Sequence, residues 1–199
     1  YLAGMYADGQ GIKKDYQQAM HWYRKVADQG FAEAQFNLGV MYYKGQGVTQ
    51  DYEQAVHWYN KAVEKGDALA QYTLGLMYEK GQGVTQDYKQ AVSWYGKAAE
   101  QGVAQAQYKL GVMYEEGNGV VQDDEQAVFW YGKAAEQGVV HAQFKLGFMY
   151  DNGIGVSQDT QQAVFWWNKA AEQGDVEAQN NLGVMYDMGL GVPQDYIEA

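Results

Sequence analysis

A chain of 199 residues without a single cysteine cannot use disulfides, zinc–thiolate sites or thiol catalysis. Its net charge of −11, with no local cluster of Lys or Arg, argues against nucleic acid and anionic lipid surfaces as partners. No stretch approaches the roughly 18 consecutive apolar residues of a membrane span, so membrane insertion is not expected. Hydrophobic residues make up 47% of the chain, which is enough for a large core.

Tryptophan recurs at a fixed spacing of 36 residues along the whole chain, at Trp22, Trp58, Trp94, Trp130 and Trp166. Leu-Gly and Met-Tyr pairs return with the same period. A fixed period of this length indicates a repeat array in which each unit packs on its neighbours. We predict about five and a half units in a single array, with approximate boundaries at 1–30, 31–66, 67–102, 103–138, 139–174 and 175–199, the first and last being incomplete.

Each unit is predicted to begin with a helix, helix A. In the second unit Ala34, Leu38 and Tyr42 are spaced four residues apart, which places them on one helical face. The two glycines of the following segment 44–48 supply a left-handed helix end and a sharp turn. These glycines recur in every unit, so the same turn is expected throughout.

A second helix, helix B, is predicted after the turn. Asp51 and Gln54 have the spacing of a capping box, and an Asp followed three residues later by Gln or Glu recurs in all six units. Gly66 is expected to end helix B. Small residues such as Gly39 and Ala55 allow the helices to approach closely. The prediction is an all-α fold, an α/α right-handed superhelical solenoid with one concave and one convex wall.

The unit consensus A-x-A-Q-x-x-L-G-x-M-Y-x-x-G-x-G-V-x-x-D-x-x-x-A-x-x-W-x-x-K-A, read from Ala32 or Ala68, closely resembles the SEL-one-like repeat (SLR) family, relatives of tetratricopeptide repeats. The resemblance covers the whole chain. It implies an adaptor or scaffold without an active site, and bacterial members of the family are often periplasmic or secreted. The chain departs from the cysteine-rich secreted branch, since it has no cysteine. Ala3, where later units have glycine, is interpreted as drift at a tolerant position.

No motif for a catalytic, cofactor or metal site emerges from the sequence. The G-x-G pairs are interpreted as turns, because none follows a strand and none continues to a third glycine or a Lys-Ser/Thr pair. The histidines His21, His57 and His141 lack the spacing of a metal-binding helix. The carboxylates recur with the period instead of forming an exceptional cluster. We therefore predict a protein that is not an enzyme and needs no cofactor.

The candidate binding site is the concave wall formed by the A helices. Helical geometry places the positions equivalent to 33, 36, 37, 40 and 44 away from the packing stripe. They form an aromatic and aliphatic ribbon with a polar rim, the composition of a protein or peptide site. The predicted partner-binding residues are Phe36, Asn37, Val40, Tyr72, Thr73, Leu76, Lys80, Tyr108, Lys109, Val112, Phe144, Lys145 and Phe148.

The leading hypothesis is a non-catalytic adaptor that binds a protein or peptide on this wall. A glycan-binding module is an alternative, since aromatic side chains beside Asn and Lys also suit sugars, and a purely structural spacer is another. Because the first and last units are incomplete, we expect either a longer intact protein or self-association through the ends.

Overall fold

In the computed structural model, which describes residues 2–190, the chain folds into eleven α-helices and no strand. The helices are α1 (Leu2–Asp8), α2 (Tyr16–Ala27), α3 (Ala32–Lys44), α4 (Tyr52–Val63), α5 (Ala68–Lys80), α6 (Tyr88–Glu100), α7 (Ala104–Glu116), α8 (Asp124–Glu136), α9 (Val140–Asn152), α10 (Thr160–Glu172) and α11 (Val176–Met188). Odd-numbered helices are the predicted A helices and even-numbered helices are the predicted B helices. The predicted all-α repeat solenoid is confirmed.

The helices group into two compact parts, α1–α6 and α7–α11, hereafter the N-terminal and C-terminal parts. Within each part, every A helix packs against the B helix that follows it, and that B helix packs against the next A helix. Helices of about 13 residues are marginal in isolation. Packing between neighbours is therefore what stabilises each helix.

The turn after each A helix forms as the paired glycines predict. Gly45 ends α3 with φ of 67°, and its N–H donates to the carbonyl of Met41. Gly47 also has positive φ, 74°, and a Cβ at this position would lie 2.5 Å from the backbone oxygen of Tyr16 at the start of α2. The second glycine therefore serves close contact between the turn and the B helix of the preceding unit.

The predicted capping box is only half correct. The Asp51 side chain accepts a hydrogen bond from the Gln54 N–H (2.9 Å), as expected of an N-cap. The Asp51 N–H, however, donates to the carbonyl of Tyr42 (3.0 Å) instead of to the Gln54 side chain. Because Tyr42 lies in the last turn of α3, its carbonyl has no partner within that helix. This one backbone hydrogen bond therefore satisfies a carbonyl at the end of α3 and an N–H at the start of α4. The Gln54 side chain is not needed for that N–H.

The core of each unit depends on a glycine of helix A that lies against an aromatic ring of helix B. Gly39 faces Tyr59, and a Cβ on Gly39 would lie only 2.5 Å from a ring carbon. Gly75 with Tyr95, Gly111 with Tyr131 and Gly147 with Trp167 repeat this arrangement. The glycine allows the ring to lie directly on the A-helix backbone, so that the tyrosines are at most 1% exposed.

Buried glutamines add polar links both within and between units. Gln71 is buried in α5, and its side-chain oxygen accepts from the Gln101 amide (2.8 Å) at the end of α6. One unit earlier, Lys65 occupies the position of Gln101, and the side-chain oxygen of Gln35 has no hydrogen-bond partner. The amide N–H of Gln35 still donates to the carbonyl of Ala27 in the preceding unit (3.1 Å), and this bond explains why glutamine recurs at the position even without a partner glutamine.

Candidate functional site

The A-helix face, defined as the side chains of odd-numbered helices at positions equivalent to 36, 37, 40 and 44, contains all thirteen predicted binding residues. None of these residues is fully buried. The structure therefore leaves the whole predicted set accessible to some degree, and the use of each residue in binding stays a prediction.

The aromatic residues of this face lie on the core tyrosines of the B helices. The ring of Phe36 is 5.6 Å from that of Tyr59, and the ring of Tyr108 is 5.7 Å from that of Tyr131. Tyr72 lies on its B-helix tyrosine in the same way, at 5.9 Å. Phe144 packs against the core of the C-terminal part. These rings are half-buried, so each of them supports the fold as well as presenting an edge to solvent.

The aliphatic positions differ in exposure. Val40, Leu76 and Val112 are half-buried, and Val40 and Val112 pack against the cores of their own parts. Phe148, the equivalent residue of α9, is 41% exposed. Val184, the equivalent residue of α11, is also exposed, but Phe148 is aromatic, and an exposed large aromatic side chain is the kind of residue that anchors a partner.

The polar positions of the face have individual partners. Thr73 donates its hydroxyl to the carbonyl of Leu69 (2.8 Å) within α5. Lys145 forms an ion pair with Glu115 (2.8 Å), while Lys80 is exposed and Lys109 is half-buried. The lysines therefore do not form a uniform cationic rim.

A row of carboxylates beside this face was missed by the sequence reasoning. The hydroxyl of Tyr95 donates to Glu79, and the hydroxyl of Tyr131 donates to Glu115. Burial and this hydrogen bond raise the pKa of Tyr131 well above its usual value, so the tyrosine stays a donor. The sequence does contain a sign of this row. The position occupied by Ala7 and Tyr43 in the first two units is acidic in all later units, at Glu79, Glu115, Asp151 and Asp187.

An open groove of about 850 Å³ lies between α1, α2 and α3. The predicted residues Asn37 and Val40 line it, together with Glu33 and Lys44 of the same helix and Tyr23 of α2. Its volume falls within the range of about 300–1,000 Å³ that is usual for ligand pockets. Burial, together with the carboxylates of Asp8 and Glu33, raises the pKa of Tyr23.

The first unit differs from later units at Ala3 and Gly4, and Gly4 lines this groove. Ala3 carries a Cβ where other units have the glycine that accommodates the B-helix ring. Tyr23 is partly exposed, and its hydroxyl lies 3.6 Å from the Cβ position of Gly4. Gly4 replaces the valine, leucine or phenylalanine of later units. The Tyr23 hydroxyl therefore lies beside Gly4 at the groove.

A second groove, of about 240 Å³, lies in the C-terminal part. Phe148 and Asp151 of α9, Trp167 of α10, and Asn181 and Val184 of α11 line it. Both grooves therefore lie between successive A helices, and both are lined by positions of the predicted face.

Residues 2–190 hold no group of three or more His, Asp or Glu side chains arranged to bind a metal ion. None of the eleven described helices has the length and apolar character needed to cross a membrane. His21, His57 and His141 are exposed, and the first two lie edge-on to neighbouring tryptophans.

The sequence matches a family model described as Sel1 repeat in six segments: residues 1–31, 32–67, 68–103, 104–139, 140–175 and 176–199. Together these segments cover the chain. No curated protein gives a significant sequence match.

Several solved structures are similar to the chain. A protective antigen present in uropathogenic Escherichia coli strains, which displays an SLR fold, is 42% identical with a TM-score of 0.97 over 99% of this chain and 42% of that one. A Sel1 repeat protein from Oxalobacter formigenes is 41% identical with a TM-score of 0.87 over 99% of this chain and 81% of that one. Cysteine-rich protein B of Helicobacter pylori is 28% identical, with a TM-score of 0.52 over 66% of this chain and 95% of that one. The chain thus spans less than half the length of the E. coli structure.

Proposed function

The chain belongs to the Sel1 repeat family, whose members commonly mediate protein–protein interactions, and from this premise we propose that it is a non-catalytic adaptor that binds a protein or peptide on its A-helix face. The observation that carries the proposal is the position of the two grooves. Each one opens between successive A helices and is lined by side chains of the face predicted to bind.

The composition of the face supports a peptide or protein as the ligand. Val40 lies beside Asn37 and Lys44 in the first groove, and Phe148 lies beside Asn152 and Asn181 in the second. Each groove thus has the pattern of an apolar anchor site with a polar rim. Because each unit repeats the arrangement, an extended segment would meet a similar face on successive A helices within each part. Affinity would come from a few anchors and specificity from the polar positions that differ between units.

Exchanging Phe148 for serine tests the proposal. Peptides selected on the wild-type chain from a random-peptide display library should bind Phe148→Ser about tenfold more weakly or worse. Burying a phenylalanine contributes ~1.5–3 kcal/mol, and 1.4 kcal/mol corresponds to tenfold in affinity. Fluorescence anisotropy with labelled peptides gives the dissociation constants, and circular dichroism verifies that the variant is folded.

Phe165→Ser is the matched control, because Phe165 is a comparably exposed aromatic residue, 48% against 41% for Phe148, on a B helix. It should leave peptide affinity unchanged. Equal losses in both variants, or loss only in Phe165→Ser, would contradict a site on the A-helix face. Binding of isolated oligosaccharides in place of peptides would favour the glycan alternative, and no ligand of either kind would favour a spacer.

A further inference from the structure

We infer that the groove between α9 and α11 binds the side chain of a lysine from the partner protein. The inference rests on the proposed function and specifies the chemistry of one part of the same face. Its basis is that the chain itself fills the equivalent space of the preceding unit with a lysine.

The internal lysine shows how such a side chain is bound. Lys145 reaches from α9 to α7, where its ammonium group lies 2.8 Å from a carboxylate oxygen of Glu115. The hydroxyl of Tyr131 from α8 donates to the other oxygen of that carboxylate. The three helices thus supply a lysine, an acid that neutralises it, and a hydroxyl that orients the acid.

One unit later, these three positions are Asp151, Trp167 and Asn181, and all three line the groove of about 240 Å³. Asn181 is shorter than lysine and uncharged, so it cannot replace the ammonium group. Trp167 donates its indole N–H to the carbonyl of Phe144 (3.2 Å) and not to the acid. The carboxylate of Asp151 forms no hydrogen bond or ion pair within residues 2–190. An acid is therefore retained where its internal cation has been removed.

The shape of the groove suits a lysine. Its volume far exceeds the ~30 Å³ that one water occupies in the liquid, so a side chain can enter. Phe148, Val184 and Met185 provide apolar walls for the methylene groups of a lysine, and the carboxylate of Asp151 meets its charge. The net charge of −11 also favours a basic partner segment.

A double-mutant cycle tests the inference directly. Peptides selected on the wild-type chain from a random-peptide display library should be enriched in lysine at one position. Replacing that lysine by methionine should weaken binding about tenfold on the wild type and leave affinity nearly unchanged on Asp151→Asn, because the charge pair is already lost there. Glu136→Gln, which removes an exposed carboxylate at the end of α8, is the matched control and should retain the full tenfold loss.

Asn181→Lys supplies an independent measurement. The introduced lysine should occupy the groove as Lys145 does in the preceding unit, so selection on this variant should no longer enrich lysine while other peptides still bind. Three results would each overturn the inference and leave the proposed function standing. The first is that the selected peptides bind the A-helix face without lysine enrichment, and the second is that they prefer arginine equally. The third is that the Lys→Met exchange costs the same affinity on the wild type and on Asp151→Asn. A wild-type chain that selects no peptide would overturn both.

Discussion

Gly47→Ala is expected to lower the free energy of unfolding by roughly 3 kcal/mol, the sum of two separate costs. Gly47 has φ of 74°, a conformation that costs an alanine about 1–2 kcal/mol. The new Cβ would also lie 2.5 Å from the backbone oxygen of Tyr16. Neither backbone can move without separating the turn from α2, so the steric conflict adds ~1–3 kcal/mol. Guanidinium denaturation followed by far-UV circular dichroism measures the change.

Gly66→Ala separates the two costs. Gly66 has φ of 83°, but a Cβ there would meet nothing within 4 Å. This variant should therefore lose only the conformational part, about 1–2 kcal/mol. If Gly47→Ala were no more destabilising than Gly66→Ala, the close contact between the turn and α2 would not contribute to stability.

Gly75→Ala should destabilise the chain by about 2 kcal/mol, whereas Gly96→Ala should stabilise it by roughly 0.5–1 kcal/mol. Both glycines lie inside helices, where alanine is intrinsically favoured. A Cβ on Gly75 would lie 2.5 Å from ring carbons of Tyr95, which is itself fully buried. A Cβ on Gly96 would meet nothing within 4 Å. The two substitutions thus differ only in the ring that the alanine would meet.

The opposite signs should be visible as opposite shifts of the guanidinium midpoint, with unchanged helical content for Gly96→Ala. Stabilisation by both substitutions would show that the ring can move aside at little cost.

The repeat and its helices could be predicted from the sequence because local features specify them. Gly45 must end α3, since its left-handed conformation is costly for other residues, and Asp51 must cap α4, since its side chain satisfies an N–H that no backbone group can reach. Each of these features depends on residues near one another in the chain. Repetition at a fixed period then makes them unambiguous.

Features that depend on three-dimensional packing could not be predicted in the same way. The carbonyl of Tyr42 replaces the Gln54 side chain at Asp51 because the turn brings it closer, which spacing alone does not show. The aromatic ribbon is less exposed than its sequence pattern suggests, since Tyr72 lies on Tyr95. Both the hydrogen-bond partner of Asp51 and the exposure of Tyr72 depend on contacts with other segments of the chain, which helical periodicity does not reveal.

The sequence predicted which repeat positions form the candidate site. It did not predict how the site differs from one unit to the next. Lys145 and Asn181 occupy the same column, yet one fills its groove and the other leaves it open. Lys145 pairs with the acid of the preceding A helix, Glu115, whereas Asn181 cannot neutralise the equivalent acid, Asp151. Only the distances between helices reveal which polar side chains are already paired within the chain.

The central claim is that partners bind on the A-helix face, and site-specific photo-cross-linking with a selected peptide tests it most directly. A benzophenone amino acid in place of Phe148 should cross-link the bound peptide, whereas the same group in place of Phe165 should not. Both positions are exposed and aromatic, so the photoreactive group should be tolerated at either. Cross-linking from position 165, or from both positions equally, would contradict the assignment of binding to the A-helix face.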